Sequence, residues 1–241
     1  MGLTVTALGC SGTYAAAGGA CSGYLVRDDL TTVWIDAGSG TLGNLQLHVG
    51  LGDVDAVILS HEHPDHWTDL EGYYNVCRFV LERRGVPVYA PAGLKGRTYD
   101  DDTSPYLEWH EVADGDRVNI GRLHVTFSRT DHGPETLAMR VDGERLSLGY
   151  SADTGPEWSF EALGPGLDLA LCEATLPSGY RGDLQHLTAT QAGNSARGAG
   201  AEKLLLTHLW PTVDPQESRR DASAAFGHDV VVATTNETYR A

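Results

Sequence analysis

The 241-residue chain contains no apolar run approaching the length of a membrane span, about 20 residues. Its first residues, MGLTVTALGCSG, lack the basic segment and the long apolar segment of a secretory signal peptide. Its four cysteines, Cys10, Cys21, Cys77 and Cys172, follow no spacing typical of a metal or redox motif. A chain of this length needs no disulfides for stability, so we expect reduced thiols and a cytoplasmic location.

Basic side chains are also scarce: 17 Lys and Arg residues stand against 33 Asp and Glu residues, and the formal net charge at pH 7 is −16. Proteins that bind long nucleic acids draw much of their affinity from neutralising phosphates with basic residues. The charge therefore disfavours a long nucleic acid as partner. Hydrophobic residues make up 41% of the chain, and repeats, low-complexity tracts and linkers are absent. We expect one globular domain spanning residues 1–241.

Short apolar or alternating segments predict strands in both halves of the chain. They are LTVTAL, SGYLVR, TTVWIDAG, VDAVILS and residues 86–90 in the first half, and RVNI, LHVTFSRT, TLAMRVDG, ERLSLGYS, LDLALCEA, KLLLTHL, VVVAT and ETYRA in the second. Helices are expected in GTLGNLQLHVG, from Asp65 to about Arg83, and at about 188–199 and 215–225. Residues 91–107 are expected to form a loop, with TYDDDTSPY exposed. This order favours two packed sheets with helices on the outer faces, a four-layer αββα sandwich.

Three histidines and an aspartate crowd into the six positions of HEHPDH, directly after a predicted strand. Desolvated imidazoles packed this closely repel one another once protonated, so a bound cation is the favoured explanation. In an extended segment His61 and His63 point the same way and form one pair of ligands. Pro64 then turns the chain, and Asp65 and His66 open the helix as a second pair. Imidazole nitrogens and carboxylate oxygens suit Zn²⁺, and also Mn²⁺ or Fe²⁺.

Two ions need more ligands than these four residues offer. Three later polar residues each follow a predicted strand: His132 follows VTFSRTD, Asp153 follows RLSLGYSA and His208 follows KLLLT. Ligands in layered folds usually lie at such strand ends. Each residue alone is more typical of a structural histidine or a turn aspartate. Their order behind the HEHPDH motif favours metal binding instead.

The sequence resembles the metallo-β-lactamase-fold hydrolases and, within them, the ribonuclease Z-like branch of dinuclear phosphodiesterases. The likeness runs nearly end to end, through LGCSGT, WIDAGSG, SHEHPDH, YSADTG, LCEATL, HLTATQAG and LLLTHLW. The central motif is highly specific, and HLTATQAG and CEAT separate this branch from lactamases and glyoxalases. The ending LLLTHLWP is similar to that of compact actinobacterial members regarded as cyclic-nucleotide phosphodiesterases. Relatives are commonly dimers, so the resemblance also implies a homodimer.

The resemblance implies a complete set of ligands for two divalent ions. His61, His63 and His132 would hold one ion, Asp65, His66 and His208 the other, and Asp153 would bridge both. Aspartate at the bridge is unlike the Cys-ligated lactamases, and histidine at position 63 is unlike the glutamate of flavodiiron oxidoreductases, which disfavours redox chemistry. Asp36 is expected to support a ligand or to hold the turn of its motif. The other histidines, His48, His110, His124 and His228, are expected to be structural or surface residues.

The same resemblance implies the roles of the catalytic residues. Two neighbouring ions can share a water and lower its pKa, so the expected nucleophile is a metal-bridging hydroxide. His186, in DLQHLTAT, would protonate the leaving alkoxide as general acid, and Glu173, in CEAT, would orient and polarise it. Asp65 is expected to be both a metal ligand and a catalytic residue. Without the resemblance, His186 would be read as a loop histidine and Glu173 as a surface acid.

A small cyclic nucleotide such as cAMP is the favoured substrate. Ribonuclease Z enzymes insert a long arm between the equivalents of His132 and Asp153, whereas these residues are only 21 positions apart here. Loops 11–23 and 91–107 would line the pocket, with four aromatic residues as candidates for base stacking: Tyr14, Tyr99, Tyr106 and Trp109. Three alternatives stay open: a tRNA 3′-processing endoribonuclease, a lactone or thioester hydrolase, and a metal-stabilised binding protein without enzymatic activity.

Overall fold

The computed structural model describes residues 2–99 and 105–241, so residues 100–104 of the predicted loop lie outside the described residues. The strands are β1 (Thr4–Gly9), β2 (Gly23–Arg27), β3 (Thr32–Ile35), β4 (Ala56–Ile58), β5 (Val86–Ala90), β6 (Leu107–Glu111), β7 (Arg117–Ile120), β8 (Leu123–Arg129), β9 (Leu137–Asp142), β10 (Ser147–Tyr150), β11 (Leu169–Glu173), β12 (Leu204–Thr207), β13 (Val231–Val232) and β14 (Thr238–Arg240). The α-helices are α1 (Thr41–Leu45), α2 (Leu70–Phe79), α3 (Ala189–Gly198) and α4 (Pro215–Phe226). None of the helices in these two ranges is long and apolar enough to cross a membrane.

Within the described residues the strands form two seven-stranded sheets, in the orders β14-β1-β2-β3-β4-β5-β6 and β13-β12-β11-β10-β9-β8-β7. Each sheet is half antiparallel and half parallel, the parallel halves being β3 to β6 and β10 to β13. The first strand also pairs with the last, so that Thr4 lies opposite Arg240. Functional residues of open α/β sheets gather at the carboxyl ends of parallel strands. The loops after β3, β4, β10, β11 and β12 are therefore the expected place for a site.

Apolar side chains from both sheets meet in a central core. Tyr24 and Ile35 of the first sheet and Phe127 and Leu171 of the second belong to one buried cluster. The alternation predicted in LHVTF is confirmed, since Leu123, Val125 and Phe127 are buried and His124 is exposed. The alternating pattern of β8 thus supplies one face of this strand to the central core.

Helices cover the outer face of each sheet. Leu70, Tyr73 and Cys77 of α2 pack with Trp34 and other residues of the first sheet. On the opposite side, α3 packs against β11 and β12, mostly through alanines, and α4 packs against α3 and β13. The four-layer αββα sandwich is confirmed.

Two local expectations were wrong. The helix predicted from Asp65 to about Arg83 is divided into a 3₁₀ turn at Pro64–His66 and α2. The division arises because the backbone N–H of Asp69 donates to the carbonyl of Ala37, 2.8 Å away. The segment between HEHPDH and α2 is therefore bound to the loop after β3. The strand β6 was also missed, because the predicted loop ends at residue 107 and the sequence predicts no element for residues 108–111. Its pairing with β5 depends on contacts that are remote in sequence.

Candidate metal centre

The seven predicted ligands lie together at the carboxyl ends of the strands. Four of them follow β4 in the HEHPDH motif, and the others follow β8, β10 and β12. Their donor atoms form two groups, and the atoms of each group all lie within 4.8 Å of one another. The first group is His61, His63, His132 and Asp153, and the second is Asp65, His66 and His208. A third group meets the same distance limit and consists of Asp153, His186 and His208. The predicted general acid, His186, therefore lies at the same cluster.

Asp153 lies between the first two groups. Its Oδ2 atom is 3.6 Å from Nε2 of His61 and 4.0 Å from Nε2 of His132. Its Oδ1 atom is 3.3 Å from Nε2 of His66 and 3.4 Å from Nε2 of His208. This Oδ1 atom is buried and accepts no hydrogen bond in the part of the chain that the structure describes. Because an unsatisfied buried oxygen is costly, its position fits coordination by a cation.

Hydrogen bonds determine which imidazole nitrogen faces the cluster. In four of the histidines, Nδ1 contacts an oxygen atom away from the cluster. The contacts are His61 with Ser60 Oγ (3.0 Å), His66 with Asp36 Oδ2 (2.8 Å), His132 with the carbonyl oxygen of Gln185 (2.9 Å) and His208 with Thr175 Oγ1 (2.7 Å). The two hydroxyls give their own protons to the carboxylates of Asp36 and Glu173, so all four partners act as acceptors here. Each Nδ1 therefore donates, which leaves Nε2 of the neutral ring as a free lone pair for a metal.

His63 is oriented the opposite way. Its Nδ1 atom faces the cluster, 3.0 Å from Nε2 of His61 and 3.2 Å from Nε2 of His132. Three imidazole nitrogens thus converge within hydrogen-bonding distance, although two of the rings already have orienting partners on their other nitrogens. A cation among these lone pairs would relieve their mutual repulsion.

Asp36 is a fully buried acceptor that supports His66. Its Oδ2 atom accepts hydrogen bonds from His66 Nδ1 (2.8 Å), the Tyr150 hydroxyl (2.7 Å) and the Ser60 hydroxyl (2.9 Å). Its Oδ1 atom accepts from the backbone N–H of Ser60 at 2.7 Å. The contact with Tyr150 was missed, because an aromatic residue within a buried strand predicts only core packing.

The backbone around the cluster adopts left-handed conformations. Four non-glycine residues of the surrounding loops have positive φ angles: Thr13 (65°), Asp36 (54°), Ala152 (50°) and His208 (54°). Such angles cost free energy for most L-residues and persist only where surrounding contacts enforce them. Their concentration here is typical of a functional site.

The loop after β1 also contacts the cluster. The backbone N–H of Thr13 donates to Asp65 Oδ2 at 2.8 Å, and the indole of Trp210 donates to the Thr13 hydroxyl at 3.0 Å. A Cβ atom at Gly12 would overlap with the carbonyl oxygen of His208 and lie 2.8 Å from its Nδ1 atom. Only glycine permits this close approach. These contacts join distant segments, so no local sequence signal could have revealed them.

Glu173 ends β11 and holds His186 beside the cluster. Nδ1 of His186 donates to Glu173 Oε1 at 2.9 Å. The buried carboxylate also accepts from the Thr154 backbone N–H at 2.7 Å and from the Thr175 hydroxyl at 2.6 Å. The imidazole of His186 lies 5.1 Å from that of His132, measured between ring centroids. Glu173 is therefore a structural anchor for the imidazole and not a surface acid.

Burial and neighbouring charges set the protonation states. Burial raises the pKa of Asp153, but the nearby imidazoles, His208 first, outweigh it and hold the pKa well below its usual range. Burial and the neighbouring imidazoles lower the pKa of His61 well below its usual range. Burial lowers the pKa of His186, but the charge and hydrogen bond of Glu173 outweigh it and raise that pKa to about 9. Burial lowers the pKa of His66, but the carboxylates of Asp153, Asp65 and Asp36 outweigh it and raise that pKa well above its usual range. An ionised carboxylate and a neutral imidazole are the forms that bind metals, so metal binding would displace a proton from His66.

Three of the four aromatic residues expected to stack on a base have other surroundings or are exposed to solvent. Tyr106 and Trp109 are partly buried against the apolar cluster between α2 and the first sheet, where they serve packing. Tyr99 is 86% exposed. Arg97 joins the loop to the metal motif, since its Nε and Nη2 atoms donate to both carboxylate oxygens of Glu62 at 3.0 and 2.8 Å.

The four histidines expected to be structural lie outside the donor groups of the described chain. Their contacts are a hydrogen bond from His48 to Asn236 (3.0 Å), a hydrogen bond from His124 to Asn119 (2.6 Å), a stacked pair of His110 with Tyr89 and an edge contact of His228 with Phe226. His124 and His228 are exposed and His48 and His110 are half-buried, as expected of structural or surface residues.

Two packed sheets with a histidine and aspartate cluster at their strand ends define a class of protein, the metallo-hydrolases. Residues 31–209 match the beta-lactamase superfamily domain, and this range contains the whole cluster. The chain therefore belongs to the β-lactamase superfamily.

Known proteins similar to this chain include metallo-hydrolases and ribonucleases. The chain is 35% identical over 250 residues to the uncharacterized protein Rv1339 of Mycobacterium tuberculosis, covering 98% of this chain and 91% of the relative. It is 30% identical over 243 residues to the probable metallo-hydrolase YhfI of Bacillus subtilis (96% and 97% covered). It is 28% identical over 240 residues to the ribonuclease Z of Methanopyrus kandleri (85% and 86% covered). The crystal structure of YhfI matches with a TM-score of 0.91 at 28% identity, covering 99% of both chains. The metallo-β-lactamase fold and the ribonuclease Z-like relationship are thus confirmed.

Proposed function

We propose that this metallo-hydrolase is a dinuclear phosphodiesterase that cleaves a small cyclic nucleotide such as 3′,5′-cyclic AMP. The position of Asp153 carries the proposal. Its two carboxylate oxygens face two different groups of imidazole nitrogens, at 3.3 to 4.0 Å. A carboxylate with one oxygen toward each group is what two neighbouring cations require.

The ligand assignment follows the donor groups. His61, His63 and His132 would hold one ion, Asp65, His66 and His208 the other, and Asp153 would be shared. These nitrogen and oxygen donors suit Zn²⁺ best, with Mn²⁺ or Fe²⁺ as alternatives. Cys21, whose pKa burial raises to about 11, stays a neutral thiol outside the donor groups. Bound divalent ions would supply an activated water and neutralise charge on the phosphoryl oxygens.

His186 is the proposed general acid. Its Nδ1 proton is engaged by Glu173, so Nε2 is the atom that can deliver a proton to the leaving oxygen. Glu173 is the positioning residue, because its other hydrogen bonds hold the carboxylate in place. Asp65 would contribute through the ion it binds, and its Oδ2 atom lies 3.3 Å from Nε2 of His208.

The segment between His132 and Asp153 supports a small substrate. Half of it forms the antiparallel pair of β9 and β10, which are joined by a short turn, so it contains no long arm. The net charge of −16 adds repulsion against a long polyanion. The second candidate is a tRNA 3′-processing endoribonuclease, favoured by the ribonuclease Z relative. The homodimer, the cytoplasmic location and the single domain spanning residues 1–241 stay predictions.

A substrate panel tests the proposal. Protein loaded with Zn²⁺ or Mn²⁺ is given cyclic AMP, bis-p-nitrophenyl phosphate, a homoserine lactone and a precursor tRNA. We expect turnover of the two small phosphodiesters. His132→Ala should abolish it, whereas His124→Ala, a matched change at an exposed histidine, should not. Turnover of the lactone alone would overturn the phosphodiester proposal, and cleavage of the tRNA alone would favour the endoribonuclease.

A further inference from the structure

A cavity of about 410 Å³ lies beside His186, between the loop that follows β11 and the first turn of α3. It is lined in part by Leu176, Tyr180, Leu184 and Thr190. It shares His186 with the donor cluster but is lined by none of the seven predicted ligands. The cavity thus adjoins the cluster on the side of the proposed general acid.

The position of a general acid indicates where the leaving group lies. When a cyclic phosphodiester is hydrolysed, water adds to phosphorus, the bond from phosphorus to a ribose oxygen breaks, and that oxygen takes a proton. The donor must be within hydrogen-bonding reach of the leaving oxygen. Since the proton comes from His186, the group that carries the leaving oxygen must lie beside this imidazole. The cavity provides space for such a group beside His186.

The lining of the cavity suits a neutral, planar and partly polar ligand. Leu184 is 46% exposed and Tyr180 is half-buried, so an apolar side chain and an aromatic ring are accessible. The guanidinium of Arg181 is held by the carbonyls of Gly179 and Tyr180, each 3.1 Å from Nη1. Aromatic rings and guanidinium planes are the groups on which nucleobases stack. The volume is in the range of pockets that bind small organic molecules.

On the basis of the function proposed above, we propose that this cavity binds the nucleoside that carries the leaving oxygen, with its base against Tyr180. The ribose then lies toward His186, and the phosphate extends into the cluster. Loops 11–23 and 91–107, which the sequence favoured as pocket walls, contribute none of their described residues to this cavity. Selectivity for a nucleoside would come from residues 176–191 instead.

Replacing Gly182 with alanine would change the cavity by displacing the side chain of Tyr180. The three atoms nearest to a Cβ at this position all belong to the ring and hydroxyl of Tyr180. Alanine at 182 must therefore displace Tyr180, and it requires no left-handed backbone because Gly182 does not have a positive φ. Gly52→Ala is the matched control, since a Cβ there meets nothing within 4 Å.

Binding of adenosine tests the inference without requiring turnover. Adenosine is titrated into zinc-loaded protein, and binding is followed from the amide signals in ¹H–¹⁵N spectra. We expect saturable shifts confined to residues 176–191 in the wild type and in Gly52→Ala. The dissociation constant should rise about tenfold in Gly182→Ala and in Tyr180→Ala, as for the loss of one base–aromatic contact.

The outcomes separate this inference from the proposed function. Absence of saturable binding to the wild type would overturn the inference, and so would equal affinity in the wild type and both cavity variants. Either result could accompany full turnover of cyclic AMP, which would leave the phosphodiesterase proposal standing. Adenosine binding at residues 176–191 without turnover of any diester would instead refute the phosphodiesterase proposal and leave a nucleoside site.

Discussion

Replacing His186 with alanine distinguishes a proton donor from a metal ligand. The structure places its imidazole within reach of either role, because its donor nitrogen belongs to a group with Asp153 and His208. Its hydrogen bond to Glu173 favours the donor role. General acid catalysis contributes about 10²- to 10⁴-fold, so turnover of cyclic AMP should fall by that factor. The corresponding rise in activation free energy is about 3–5 kcal/mol.

The assay compares two leaving groups in the same variant. The alkoxide released from cyclic AMP needs a proton, whereas p-nitrophenolate leaves readily as an anion, so hydrolysis of bis-p-nitrophenyl phosphate should fall much less. The metal content from elemental analysis should match that of the wild type and of His124→Ala, which changes an exposed histidine. Loss of a metal ion, or an equal loss of rate with both substrates, would refute the assignment of His186 as general acid.

Three further predictions concern the contacts around the cluster. Asp36→Asn should weaken metal binding about 10- to 100-fold, measured by competition with a chelating dye, because an amide cannot accept all the hydrogen bonds that the carboxylate accepts. Gly12→Ala should displace His208 and lower the metal content, whereas Gly43→Ala, where a Cβ meets nothing within 4 Å, should retain it. Glu173→Gln removes the charge that raises the pKa of the neighbouring imidazole to about 9. Since the protonated imidazole is the acid, the alkaline decline of turnover should move to lower pH, and an unchanged pH profile would contradict this role.

The sequence predicted the parts of the site that depend on local pattern. HEHPDH follows an apolar strand, and residues two positions apart in an extended segment point the same way, so this half of the cluster could be predicted from local pattern. His132, Asp153 and His208 could be placed at strand ends, but their convergence depends on the packing of two sheets. Their order behind HEHPDH favoured metal binding, and resemblance to a family assigned each of them to an ion.

Other contacts had no signal in the sequence. The Tyr150 hydroxyl contacts Asp36 across the two sheets, and the Thr13 backbone contacts Asp65 across 52 positions. The break before α2 likewise depends on a backbone hydrogen bond to Ala37. Such contacts follow from the tertiary arrangement, which propensity and periodicity describe only within one element. The cavity beside His186 was missed for the same reason, because it forms between a loop and the first turn of α3.

The central claim is that seven side chains hold two neighbouring cations. Anomalous diffraction from crystals of the protein grown with Zn²⁺, collected at the zinc edge, tests it directly. We expect two peaks about 3.5–4 Å apart, the usual separation in two-metal sites. One peak should lie within bonding distance of His61, His63 and His132, the other within bonding distance of Asp65, His66 and His208, with Asp153 reaching both. A single peak, no peak at the cluster, or a peak bound by His186 would contradict the claim.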